Sequence, residues 1–121
     1  MSDLFIRLVH GRTAWAPGET MSGRVGWNGL LPRRRLELRM IWQATCAAGT
    51  ETCTADVAPL AVDTPGGEQP FTLRVPDFPY SYVGGSLRIA WLMELIDIDA
   101  RVAARVDLVI GPDRAPVTLD R

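Results

Sequence analysis

Leu36-Glu37-Leu38-Arg39-Met40-Ile41-Trp42-Gln43 is the stretch that decides the fold. Leu36, Leu38, Met40 and Trp42 recur at every second position, while Glu37, Arg39 and Gln43 fill alternate ones and only Ile41 interrupts them. Side chains of a strand point to opposite faces in turn, so this spacing builds one buried face and one wetter face. Leu4, Ile6 and Leu8 form the run nearest the start, and Met21, Val25 and Trp27, with Gly23 between them, form the next. A weaker strand is expected near residues 53 to 62, another over Phe71, Leu73 and Val75, and the longest over Leu87, Ile89, Trp91, Met93 and Leu95. Val102, Ala104, Val106, Leu108 and Ile110 form the last.

Turn chemistry separates these runs: Pro17-Gly18-Glu19, Asn28-Gly29, Thr64-Pro65-Gly66-Gly67, and a loop bounded by Pro76, Pro79 and Gly84-Gly85. No stretch sustains apolar residues at helical spacing. The pattern predicts an all-β antiparallel β-sandwich of about seven strands in two sheets, with Trp27, Trp42 and Trp91 largely buried. Ala90, Leu92 and Ile96 make the second face of the longest strand apolar as well, which a central strand explains. Asp97 and Asp99 are expected in the solvated turn that follows it.

At 121 residues the chain suits one domain spanning 1–121. With 47% hydrophobic residues, 22% charged residues and a net charge of -1, disorder and a polyelectrolyte surface are both excluded. Nothing in that balance draws the chain to nucleic acid, and no run of about eighteen uncharged apolar residues suggests membrane insertion. All thirteen basic residues are Arg, beside abundant Ala, Gly and Pro, the signature of a GC-rich and by expectation bacterial genome. The opening Met1-Ser2-Asp3-Leu4-Phe5-Ile6-Arg7 does not look like a secretory signal, so a cytoplasmic location is expected. Cys46 and Cys53 flank a plausible hairpin turn with neither zinc nor thioredoxin spacing; in a reducing compartment they are expected to be free.

The chemistry-bearing residues argue against an enzyme. His10 is the only His, and it falls at a strand end. A nucleophile elbow, a phosphate loop and a dinucleotide fingerprint are all missing; Gly84-Gly85-Ser86 enters a strand rather than a helix. No cofactor and no metal site are expected, since Asp97 and Asp99 lack the Gly and later Glu of a calcium loop. Two surfaces are candidates for binding. Arg33, Arg34 and Arg35 form the densest charge cluster, able to hold a phosphate or carboxylate or simply to keep sheet edges apart. Phe78, Tyr80 and Tyr82 place three aromatics in one Pro- and Gly-bounded loop, the residue type that carries most interface energy.

Two segments together resemble the amino-terminal domain of arrestin-like proteins. Trp15-Ala16-Pro17-Gly18-Glu19-Thr20-Met21-Ser22-Gly23-Arg24-Val25 is similar to an aromatic-x-Pro-Gly-Glu turn leading into a Gly-x-Val strand. Phe71-Thr72-Leu73-Arg74-Val75-Pro76, then Pro79-Tyr80-Ser81-Tyr82-Val83-Gly84 and Ile89-Ala90-Trp91, is similar to a strand, a Pro-x-Ser-aromatic-x-Gly loop and a strand bearing an aromatic. The resemblance implies an immunoglobulin-like sandwich, a single-domain bacterial member, and an adaptor or scaffold role. It lacks room for the second sandwich of larger members, and no lysine matches their phosphate sensing. The expected function is protein binding, with a partner protein or a homo-oligomer; the alternative is a small-ligand or carbohydrate-binding sandwich, and a cysteine-dependent enzyme comes third.

Overall fold

A computed structural model describes residues 3–29, 35–62, 64–98 and 102–118. Among the described residues seven long strands stand near where alternation predicts them: β1 (Asp3–Leu8), β3 (Thr20–Asn28), β4 (Arg35–Cys46), β5 (Gly49–Ala61), β6 (Gly67–Arg74), β8 (Leu87–Asp97) and β9 (Val102–Ile110). However, β5 starts at Gly49 rather than near residue 53, so most of the turn expected between Cys46 and Cys53 is strand. Three two-residue strands complete the set, β2 (Ala14–Trp15), β7 (Tyr82–Val83) and β10 (Val117–Thr118). They lie inside stretches that read as loops, because two residues carry no periodicity.

A small sheet has the order β1-β3-β6 and a large one the order β10-β7-β8-β4-β5, with β9 also on β8 and β2 on β9. The long strands pair antiparallel, whereas β2 with β9 and β10 with β7 pair parallel. The chain therefore forms an all-β sandwich. Its core joins Met21, Val25, Trp27 and Phe71 of the small sheet to Leu36, Leu38, Met40, Trp91, Met93, Leu95, Leu108 and Ile110 of the large one. Trp27 and Trp91 are buried, and Trp42 is half-buried against the same core. Trp15, which the turn motif alone pointed to, is buried too.

β8 is central, as its two apolar faces require: β4 follows one edge throughout, while β7 and then β9 share the other. On its outer face Leu92 lies opposite Ile41, and both are buried. Asp97 corrects the sequence reading. It is the last residue of β8, opposite Leu36, and fully buried rather than solvated, because odd positions of β8 face inward and position 97 continues that series. Asp99 lies outside the described residues.

Candidate functional site

The two segments that carry the resemblance meet in space. The Gly18 amide donates to the Val75 carbonyl at 3.0 Å, and the Val75 amide donates to the Glu19 carbonyl at 2.8 Å. Gly18 adopts φ 80°, a conformation glycine enters without steric cost. The Glu19 carboxylate then knots the turn. It accepts from the Ala16 amide and from Arg12 Nη2 at 2.5 Å each, from Arg114 Nε at 3.1 Å and, on its other oxygen, from Arg114 Nη2 at 2.6 Å. The Arg114 fork, then the Ala16 amide, then Arg12 hold the Glu19 carboxyl well below the usual carboxylate range, and Glu19 raises the affinity of Arg114 for its proton. Arg12 also stacks 3.8 Å over the Trp15 ring.

The aromatic loop beside this knot is tied at its backbone. Trp91 Nε1 donates to the Pro79 carbonyl at 2.7 Å. Buried Ser81 accepts the Ile110 amide on its hydroxyl at 3.0 Å, donates its own amide to the Ile110 carbonyl at 2.7 Å, and accepts the Val117 amide on its carbonyl at 2.8 Å. The Gly84 amide donates to the Leu87 carbonyl at 3.0 Å. The side chains hung on this frame differ. Phe78 is 79% exposed and Tyr80 41%, while Tyr82 is half-buried with its ring folded over Gly84.

Tyr82 pairs with Ile89, and Leu87 pairs with Cys46, so all four occupy the inner face of the large sheet beyond the Trp42–Trp91 rung. Here that face is no longer covered. Leu87 is 38% exposed, Cys46 is exposed, and Ala44, Ile89 and Cys53 are half-buried. A concavity of about 410 Å³ is lined by Tyr80, Tyr82, Ser86, Leu87, Ile89 and Val117, and a neighbour of about 400 Å³ shares Leu87 and reaches Ala44, Cys46 and Glu51. This apolar ledge is the candidate site. Its inner-face half escaped the sequence reading, since alternation shows which residues share a face and not whether another sheet covers them.

The other candidates lie elsewhere. Arg33 and Arg34 are outside the described residues, and Arg35 opens β4 at its exposed start, opposite Ala61. His10 sits in a turn after β1 with φ 55° and lines a concavity with Ile6, Thr13 and Val106, separate from the one that holds Cys46. Cys46 pairs with Gly49 and Cys53 with Trp42, four rungs apart. That is about 13 Å along the strands, beyond disulfide reach, and both thiols are free. Among the described residues no group of three His, Cys, Asp or Glu is placed to hold a metal, and no helix is long and apolar enough to cross a membrane.

Neither family models nor curated protein sequences match this chain. Solved structures do. The sporulation control protein Spo0M of Bacillus subtilis aligns with a TM-score of 0.63 at 19% identity, over 91% of this chain and 49% of that one. Macromomycin aligns with a TM-score of 0.55 at 13% identity, over 90% of this chain and 100% of its own. A β-glucosidase from Listeria innocua aligns with a TM-score of 0.51 at 10% identity, over 97% of this chain and 16% of that one. The chain thus spans about half the length of the sporulation control protein. At these identities the likeness concerns the fold alone, and the likeness to the sporulation control protein supports an arrestin-like fold.

Proposed function

We propose that the chain is a non-catalytic adaptor or scaffold module of arrestin-like type that binds a protein partner in a bacterial cytoplasm. The observation that carries this reading is the pairing of a fixed frame with uncovered apolar side chains. Backbone bonds at Pro79, Ser81 and Gly84 order the loop, yet Phe78, Tyr80 and Leu87 remain exposed beside it. A preorganised loop loses little entropy when a partner covers it, and aromatic anchors supply most of the binding energy. The likeness to a sporulation control protein is compatible with a regulatory interaction module.

The alternative, a small-ligand or carbohydrate-binding sandwich, rests on the concavity of about 410 Å³. Its volume lies within the range of ligand sites, but Ser86 and the two tyrosine hydroxyls are the polar side-chain groups lining it, few for orienting a polar ligand. Partner capture by the intact chain and by Phe78→Ala separates the two readings. A protein recovered stoichiometrically by the first and lost by the second, at equal thermal stability, supports the adaptor reading. Equal recovery by both excludes the aromatic loop.

A further inference from the structure

The outward edge of β5 changes character halfway along. No described strand pairs with it. From Ala55 onward, three features block a further strand. The register with β4 shifts so that Ala55 has no partner, the Asp56 carboxylate accepts the Val57 amide at 2.9 Å, and Pro59 has no amide to donate. Between Gly49 and Thr54 none of these devices occurs. Thr50, Thr52 and Thr54 alternate there with Glu51 and Cys53, all exposed except half-buried Cys53, and Glu51 is the only charge. A β-branched, nearly uncharged edge with open backbone groups is a template for another strand.

This segment is complementary to itself in one antiparallel register. With Thr52 opposite Thr52 of a second copy, Thr50 meets Thr54 and Glu51 meets Cys53, so no carboxylate faces a carboxylate. The threonine pairs then share the face on which Thr45 and Thr50 hydroxyls already touch at 3.0 Å and Gln43 Nε2 donates to Thr52 Oγ1 at 3.4 Å. Cross-strand threonine pairs are stabilising, and each hydroxyl keeps capacity for a further bond. Centring one residue earlier opposes the two Glu51 side chains. Centring one residue later drives the strand into the irregularity at Ala55.

We infer that the chain self-associates by antiparallel pairing of residues 50–54 with the same segment of a second copy, about a two-fold axis at Thr52. Five residues a side bury far less than a standard interface of about 1,600 Å², so the dimer is weak and concentration-dependent. Thr50 and Glu51 also border the ledge, but pairing uses the backbone edge of β5 while the adaptor reading rests on Phe78, Tyr80 and Leu87, so the two stand or fall separately.

Cross-linking in a Cys46→Ser, Cys53→Ser background tests the register. Directly opposed residues of antiparallel strands have Cα atoms about 4.5–5.5 Å apart, within disulfide range. Under a mild oxidant, Thr52→Cys should form a covalent dimer and Thr50→Cys alone should not, while mixing Thr50→Cys with Thr54→Cys should restore it. In sedimentation, Thr52→Lys sets like charges opposite each other. It should weaken association about fivefold at unchanged Tm. Thr52→Cys cross-linking no faster than Thr50→Cys, or association that Thr52→Lys leaves intact, would overturn the inference.

Discussion

The inner face of the large sheet has two halves that read alike in sequence and differ in structure. Leu36, Leu38, Met40, Met93 and Leu95 are at most 1% exposed because the small sheet lies over them. Past the Trp42–Trp91 rung, Ala44, Cys46, Leu87 and Ile89 continue the same alternation on the same strands, and there Cys46 and Leu87 reach the surface. Periodicity assigns a residue to a face. What covers that face is decided by other strands far away in sequence.

That contrast yields its largest test in matched truncations. Leu95→Ala removes a buried side chain from the covered half and should cost about 2–5 kcal/mol of unfolding free energy in a urea titration. Leu87→Ala, on the same strand and face, should cost under about 1 kcal/mol, since much of its side chain is already in water. Equal costs would mean that the two halves are covered alike in solution.

Gly23 sharpens the comparison from the small sheet. A methyl group there would stand 2.5 Å from the Arg7 carbonyl oxygen and 2.8 Å from the Phe71 ring, so the sheet closes over the core through that missing side chain. Gly23→Ala should lower stability by about 1–3 kcal/mol through overpacking. Gly85→Ala, where nothing lies within 4 Å, should be close to neutral by the same denaturation measurement.

The knot at Glu19 adds a pH-dependent contribution. Its folded pKa lies below the unfolded value of about 4.3, so its stabilisation is fully present above that value and is lost as pH falls through the folded pKa. The Tm gap between the intact chain and Glu19→Gln should therefore be constant from about pH 6 to 8 and shrink below about pH 4. A gap that persists in acid would mean that the carboxylate is not what fastens Arg12, Ala16 and Arg114.

Six of the long strands were legible because each buries a face and burial imposes period two, whereas β5, which has no buried residue, read only as a weaker strand near 53 to 62. The same reasoning missed Asp97: acidic residues near a chain reversal usually sit in water, yet this one falls on an inward position of β8. The site was legible as an aromatic loop. Its ledge was not, since Leu87 and Ile89 alternate just as Trp91 and Met93 do. Nor did sequence reveal that Ser81 fastens the loop, as a serine between two tyrosines carries no sign of its three backbone partners.

The smallest expected effect belongs to Phe78. Its ring is 79% exposed, while the residues after it are held through the Pro79 carbonyl and Ser81 rather than through the ring. Removing the ring leaves those bonds in place and creates no cavity. Phe78→Ala should therefore change unfolding free energy by no more than about 0.5 kcal/mol, with an unchanged denaturant slope. A buried Phe would instead cost about 3–5 kcal/mol. An intermediate loss near 2 kcal/mol would show that the ring packs against the ledge in solution and shields the uncovered half from within. That outcome would erase the difference between the two halves and remove the side chain on which the adaptor reading leans most.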